Sequence, residues 1–153
     1  MQPETSSLVF LQYLTTVFDN IDDAVLLIGV EPKGQYRLLM ANEAFFRNTG
    51  YQRETSVGIL LQEIIAPEDY MHRARQYHKV VTGKRPYTYQ HWYNVPIGRQ
   101  SYIIKLIPVL NAVGEVIQVA SISRNTTELE MLKEKVAETT KTLETLTKSL
   151  QVR

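Results

Sequence analysis

Three histidines, His72, His78 and His91, are the side chains of this sequence with the widest chemical range. An imidazole can ligate a metal, relay a proton or titrate near neutrality. His72 and His78 fall in a stretch that opens Ala66-Pro67-Glu68-Asp69 and runs to Thr82-Gly83. Helical spacing there puts Met71, Ala74, His78 and Val81 on one apolar face, and His72 with Arg75, Gln76 and Lys79 on a polar one. His78 is therefore the histidine read as facing an interior. His91 belongs to "YTYQHWYN", where alternation sends Tyr87, Tyr89, His91 and Tyr93 to one side and Gln90 and Trp92 to the other. That pattern more often builds a packed sheet face than a ligand set. The adjacent acids Asp22-Asp23 and Glu68-Asp69 point apart in a strand or helix and suit turn and helix-start roles. There is no glycine-rich phosphate loop, no metal-spaced His and carboxylate pair, and no nucleophile elbow. The absence of cysteine removes disulfides, thiolate zinc sites and cysteine nucleophiles. No catalytic residue and no metal ligand is assigned, and the chain is not expected to be an enzyme.

Seventeen Lys and Arg against sixteen Asp and Glu leave a net charge of +1, which provides no electrostatic footprint for nucleic acid or an anionic membrane. The longest apolar runs, such as 24–28, are far too short to span a bilayer. The N-terminal stretch lacks the basic leader and long apolar core of a secretory signal. A cysteine-free chain of this kind suits a reducing compartment, so a cytoplasmic location is expected, with no membrane contact in this segment. With 153 residues, 44% of them hydrophobic, the chain has enough for one domain and an appendage.

The elements that must position those side chains can be read in order. Leu8, Leu11, Leu14 and Phe18, with Val17 beside them, predict an amphipathic helix over 7–20. "AVLLIGVE", a turn at "PKGQ" and "YRLLMA" predict a hairpin over 24–41. Asn42 is a helix N-cap ahead of Phe45 and Phe46, and that helix closes at Thr49-Gly50. "ILLQEII" reads as a short apolar helix or a single turn of one. Pro67 then starts a longer helix that ends at Thr82-Gly83. "YTYQHWYN", "QSYIIKLIPVL" and "EVIQVASISR" are three strands, separated by "VPIGR" and "NAVGE". The fold class is α+β, with a five-stranded antiparallel sheet and helices on one face.

From Leu129 a charged helix follows. Leu129, Leu132, Val136, Leu143, Leu146 and Leu150 alternate at spacings of three and four, with Thr139 as the one polar member. So narrow a stripe suits a coiled-coil seam better than the face of a helix folded back on the sheet. In a parallel dimer Glu128 would attract Lys133 of the other copy across the seam. Threonines at 139, 140, 142, 145 and 147 lower its intrinsic helicity, so the helix should need dimer contacts or a downstream domain. The expected organisation is an N-terminal helix over 1–20, a domain over 21–126 and a coiled-coil helix over 127–153.

The residues "ANEAFFRNTGYQRETSVG", then "EIIAPED", "LIPVLNAVGEVIQVASISRNTTELE" and the trailing helix resemble PAS sensor domains across about residues 18 to 130. The resemblance implies a ligand pocket between sheet and helices, for which the candidates are Phe46, His78, Tyr87, Tyr89 and Leu106. It also implies a signalling joint at Arg124, Asn125 and Thr127. There Asn125 stands where relatives carry an aspartate, keeping a hydrogen bond without the charge. His72 aligns with the haem-ligating histidine of rhizobial oxygen-sensing PAS kinases, and Trp92 stands where their arginine serves the bound oxygen. Haem would take His72 or His78. The end of the chain also looks like flavin-binding redox-sensing PAS domains, with Tyr87 in place of a tryptophan near the flavin ring. No cofactor is assigned, flavin and haem being the two that the resemblance allows.

The function implied is a sensory and dimerisation module of a larger signal-transduction protein, such as a two-component system. It would be a homodimer that senses a small molecule and relays its state to an effector in cis. A ligand-free dimerisation scaffold is the first alternative. A small free-standing α+β enzyme is the second, and it lacks a visible acid-base pair.

Overall fold

Alternating apolar residues between glycine and proline turns build a meander of strands, and the stretches between the strands become helices. The computed structural model describes residues 3–151, with the side chains of 6–151. Residues 1, 2, 152 and 153, at the outer ends of the two expected flanking helices, lie outside the described residues. The order is α1 (Pro3–Asn20), β1 (Ala24–Glu31), β2 (Gln35–Ala41), α2 (Glu43–Thr49), α3 (Arg53–Ser56), α4 (Leu61–Ile64), α5 (Pro67–Gly83), β3 (Tyr87–Val95), β4 (Gly98–Leu110), β5 (Val116–Asn125) and α6 (Thr127–Gln151). The five strands form one antiparallel sheet in the order β2-β1-β5-β4-β3. The single turn α3 was not expected from "QRETSVG"; α4 is the turn anticipated in "ILLQEII".

Turn chemistry sets the register. Between β1 and β2, Lys33 and Gly34 adopt positive φ angles of 67° and 69°, closing the hairpin at Glu31 and Gln35. Between β4 and β5, Asn111 Oδ1 accepts from the backbone N–H groups of Val113 and Glu115, each at 3.0 Å. The amide thus folds "NAVGE" on itself.

Ala24, Leu26 and Ile28 of β1, Leu38 of β2, Tyr93 of β3, Ile104 and Leu106 of β4 and Val119 of β5 turn inward and are buried. The segment from α2 to α5 covers that face. Ile103, Ile117 and Ile122 remain exposed on the other, so the helices do lie on one side. Tyr36 and Tyr77 meet edge-to-face at 5.0 Å and join the sheet to α5.

The buried face of α5 differs from the expected one. Asp69, Arg73, Gln76, Tyr77 and Val80 are buried, whereas Met71 and His78 are exposed. At 100° per residue the true inner face lies about a third of a turn from the Met71–His78 stripe. The reason is bulk. The Tyr77 ring and the stem of Arg73 fill the space over the sheet, and a wheel that counts arginine as polar turns them outward.

Asn42 fastens three segments at once and is completely buried. Its Oδ1 accepts from Val25 N (2.9 Å) and Phe45 N (3.2 Å). Its Nδ2 donates to the carbonyls of Phe18 and Asp23, both at 3.0 Å. The expected N-cap of α2 is therefore also the clamp that holds the end of α1 and the start of β1. At the other end of α2, Gly50 sits at φ 85°, and a Cβ there would lie 2.7 Å from Ile97 Cγ2.

The two flanking helices project apolar side chains away from the domain. Leu8, Leu11, Leu14 and Val17 of α1 are exposed, and only Phe18 and Asp19 are half-buried. On α6 the stripe from Leu129 to Leu150 is exposed throughout, so the helix does not fold back onto the sheet.

An Asn42→Ala variant leaves buried backbone groups on three segments without partners and should lose about 3 kcal/mol. For a chain of this length that lowers Tm by about 6–12 °C in a calorimetric scan. Asn42→Asp keeps both acceptor roles and should fall between Asn42→Ala and the wild type.

Candidate functional site

Two arrangements meet on α5. The first is an interior cavity of about 10 Å³, room for one water-sized group. Its walls are Leu26 and Leu38 of the sheet, Phe45, Tyr51, the Leu61, Ile64 and Ile65 group, and Arg73 with Tyr77 of α5. Arg73 is the one charged residue among them, and it is only 6% exposed. Its guanidinium lies 4.1 Å from the centroid of the Tyr93 ring. Its Nε is buried with no hydrogen-bond partner. Among the described residues no carboxylate comes within ion-pair distance of it. Asp69, one turn earlier, instead accepts from Asn94 N at 2.8 Å. Burial disfavours the Arg73 charge, but Tyr77, Tyr93 and Tyr89 around it outweigh that and hold its pKa above the ordinary arginine value. It is a cation at every physiological pH.

The second arrangement is the seam between α5 and β3. The rings of His72 and His91 stack with centroids 3.5 Å apart and planes 10° from parallel. His72 Nδ1 and Tyr93 Oη are 2.8 Å apart, and Tyr93 Oη and Tyr89 Oη 3.0 Å. Burial pushes the Tyr93 phenol up to about 12 and Tyr89 higher still, so both are neutral donors. Burial, then the His91 charge, lowers the His72 pKa. For His91 burial again lowers it, assisted by Arg73, Arg99 and Arg75 against the opposing Asp69. Outside this stack a solvated cleft of about 590 Å³ follows the free edge of β3, bounded by Glu68, Arg75, Trp92, Arg99 and Glu130 among others.

The residues expected to line the pocket do not line the interior cavity. Phe45, not Phe46, reaches it; Phe46 is half-buried at the rim of the core, beneath the Arg53 guanidinium 4.6 Å from its ring. His78 is exposed on the far side of α5. Tyr87 and Tyr89 stack on each other at 5.9 Å in the seam, with Lys79 over Tyr87. Leu106 is fully buried in the sheet core. Arg73, Tyr77, Tyr51 and Phe45 were missed. The one available signal was that Tyr77 and Val80 stand at i+4 and i+7 from Arg73, on one helix face. These residues do not fit a haem, since neither histidine of α5 faces the cavity: His72 is committed to Tyr93 and His91, and His78 to solvent. A flavin ring far exceeds the cavity, and Tyr87, expected beside it, lies elsewhere.

The joint is a compact polar knot. Asn125 Oδ1 accepts from Thr127 N (2.9 Å) and Thr127 Oγ1 (2.6 Å), capping α6, while its Nδ2 donates to Gln100 Oε1 (3.0 Å). Ser101 N donates to Thr127 Oγ1 at 3.0 Å, and Thr126 N donates to Ser101 O at 2.8 Å. Gln90 of β3 reaches Ser101 Oγ at 3.3 Å and also hydrogen-bonds Glu130 of α6. The amide of Asn125 therefore supplies the capping acceptor and adds a donor that a carboxylate lacks. Arg124 pairs with Asp23 at 3.1 Å across the β1–β5 ladder, an exposed contact of small energetic weight.

The family model described as "PAS fold" matches residues 18–131. No curated protein sequence matches the chain. Among solved structures, a PAS domain from Colwellia psychrerythraea superposes with a TM-score of 0.63 at 18% identity, covering 78% of this chain and 98% of that one. An RNA-binding light-oxygen-voltage receptor gives 0.67 at 21% identity, over 90% of this chain and 39% of the receptor. A sensory-box sensor histidine kinase from Vibrio cholerae gives 0.58 at 16%, over 82% and 98%. At these identities the likeness is one of fold.

Two outcomes follow from the seam and the knot. Because His72 and His91 are held neutral, the unfolded chain binds more protons than the folded one just below the ordinary imidazole value. Stability should therefore be full above that value and fall as pH drops through it. Tm measured between about pH 8 and pH 5 checks this, and His91→Phe, which removes one titrating ring, should lose roughly half the slope. At the joint, Asn125→Ala should cost about 1–2 kcal/mol and speed amide exchange in the first turn of α6. Asn125→Asp, which keeps the cap, should lose less than half of that.

Proposed function

This chain belongs to the PAS fold family, and on that premise we propose that it is the sensory and dimerisation module of a larger signal-transduction protein. PAS domains are generally sensory, non-catalytic modules, and sensor histidine kinases are among the proteins that share this fold. In this reading a small molecule in the interior cavity changes the packing of α5 on the sheet. The change passes through β4 and β5 to the joint, and α6 carries it to an effector in cis.

The observation that supports the relay most directly is the mechanical contrast along α6. Its first turn is tied to β4 by Gln100, Ser101, Asn125 and Thr127, and beyond Glu130 its leucine stripe touches nothing in the domain. A helix anchored at one end and apolar along the rest is built to pair with a second copy and to turn when its anchor moves. Four threonine hydroxyls on α6 bond back to carbonyls one turn earlier. That weakens the helix and leaves it dependent on pairing. A ligand biases the two arrangements only by its differential affinity for them, typically about 1–3 kcal/mol. Placement in the cytoplasm is part of the same proposal, and no helix among the described residues is long and apolar enough to cross a membrane. The cavity of about 10 Å³ supports a second reading, a scaffold that dimerises without a ligand.

The wild-type chain should be a dimer by light scattering, and Leu143→Lys with Leu146→Lys should weaken self-association roughly a hundredfold or more while leaving the far-ultraviolet spectrum of the domain intact. A wild type that stays monomeric at high concentration sinks the pairing of α6. Native mass spectrometry followed by denaturation separates the two readings, since a retained small molecule supports the sensor and an empty dimer the scaffold.

A further inference from the structure

Among the described residues, the buried side-chain polar atom left without a hydrogen-bond partner is Nε of Arg73. The guanidinium is all but completely buried, and no carboxylate pairs with it. Tyr77 hydrogen-bonds the guanidinium and Tyr93 stacks on it, but the buried Nε–H stays unmet, and an anion is the partner that would answer both that donor and the charge. Arg73 stands on the wall of a cavity whose other walls are the side chains of leucine, isoleucine, phenylalanine and tyrosine.

Resting on the sensory reading above, we propose that the ligand of this cavity is a small organic monocarboxylate. Its carboxylate pairs with Arg73, and its apolar body lies against Leu26, Phe45, Leu61 and Ile64. The charge follows from the inventory of the wall. Arg73 is its only ionic side chain, so one negative charge is matched and a second would be buried alone. The geometry of the group also fits, because a guanidinium presents parallel N–H donors to the two oxygens of a carboxylate. The remaining walls offer apolar contact and reject a second polar end.

A volume of about 10 Å³ accepts only the first atoms of such a molecule, so binding displaces a wall. The wall able to move is the 51–65 segment, which carries Tyr51, Leu61, Ile64 and Ile65. Its helices α3 and α4 are four residues each. Its backbone bonds to β2 are Leu38 N to Ile59 O (3.0 Å) and Gly58 N to Leu38 O (2.7 Å), with side-chain bonds from Arg37 to Gly58 O (2.7 Å) and from Arg53 to Ala41 O (3.3 Å) and Glu43 (2.6 Å), so few groups hold it to the sheet. Arg73 is also stacked on Tyr93, whose hydroxyl shares a hydrogen bond with His72 in the seam with β3. Recruiting the guanidinium to a ligand therefore pulls on the strand that contacts α6 through Gln90.

The test uses the full chain with hexanoate and benzoate, the neutral counterparts hexanamide and benzamide, and the cation hexylamine. Thermal shift and titration calorimetry are read on the wild type and on Arg73→Met. The carboxylates should raise Tm saturably, and the amides and the amine should not. Arg73→Met should bind the carboxylates roughly ten- to hundredfold more weakly. Amides that act as strongly as carboxylates overturn the anion assignment and leave the sensory reading standing with an apolar ligand. A wild type that responds to neither carboxylate overturns the proposal, and so does an Arg73→Met protein that binds the carboxylates as tightly as the wild type. Whether the module is a sensor at all is decided separately, by the molecule retained in native mass spectrometry. The comparison of carboxylate with amide on the wild type needs no variant, so it holds even if Arg73→Met fails to fold.

Discussion

The ladder between β1 and β5 is the constraint on which the rest of the molecule depends. Ala24 pairs with Ser123 and Gly29 with Gln118, so the first and last strands of the domain are central neighbours. The chain must then enter and leave at the same end of the sheet. The end of α1, held by Asn42, and the start of α6, held by the knot at Ser101, come to lie beside each other, with Arg124 and Asp23 spanning the gap. Both flanking helices are thereby tied to one pair of strands. The apolar faces of both helices, which the domain leaves uncovered, extend outward from that junction.

The same topology sets the place of the site. With β1 and β5 in the middle, β3 is left at an edge, and α5 lies over the sheet from the cavity to that edge. One helix therefore carries Arg73 toward the interior and His72 toward the β3 seam. Tyr93 touches both, stacking on the guanidinium and bonding to the imidazole. The tyrosines around Arg73 favour its charge through ring faces and hydroxyl dipoles, yet they supply no opposite charge and leave its Nε without a partner. Histidines stacked at 3.5 Å add a repulsion that appears on protonation. α5 thus carries a buried guanidinium on one side and a proton-sensitive histidine stack on the other.

Much of the fold was legible in the order of residues. The hairpin turn at Pro32-Lys33-Gly34, the cap at Asn42, the stop at Gly50, the start at Pro67 and the three late strands are each written in one or two residues whose backbone preferences act locally. The alternation of Tyr87, Tyr89, His91 and Tyr93 was likewise readable, and all four take part in the ring contacts of the α5 seam. The interior of α5 was not legible. A helical wheel ranks residues by polarity, and it placed Gln76 outside and His78 inside while giving no reason to single out Arg73. The packing reversed this, because the inner face is chosen by which side chains fill the volume above Tyr93 and Leu38. Phe45 and Phe46 could not be told apart for a similar reason. Adjacent residues on a helix differ by 100°, and only the position of the sheet decides which of them turns inward.

By itself the sequence determined the elements, the antiparallel sheet, the family resemblance and the leucine stripe of the last helix, since all of these rest on periodicity and local backbone preference. Tertiary structure alone decided that Asn42 joins three segments and that Asn125 both caps α6 and donates to Gln100. It alone decided that a single arginine is buried without a counter-ion on the wall of the cavity. Those facts depend on which groups from distant parts of the chain meet. Hydrogen-bond satisfaction and the desolvation of charge are properties of the meeting, not of the residues taken one at a time.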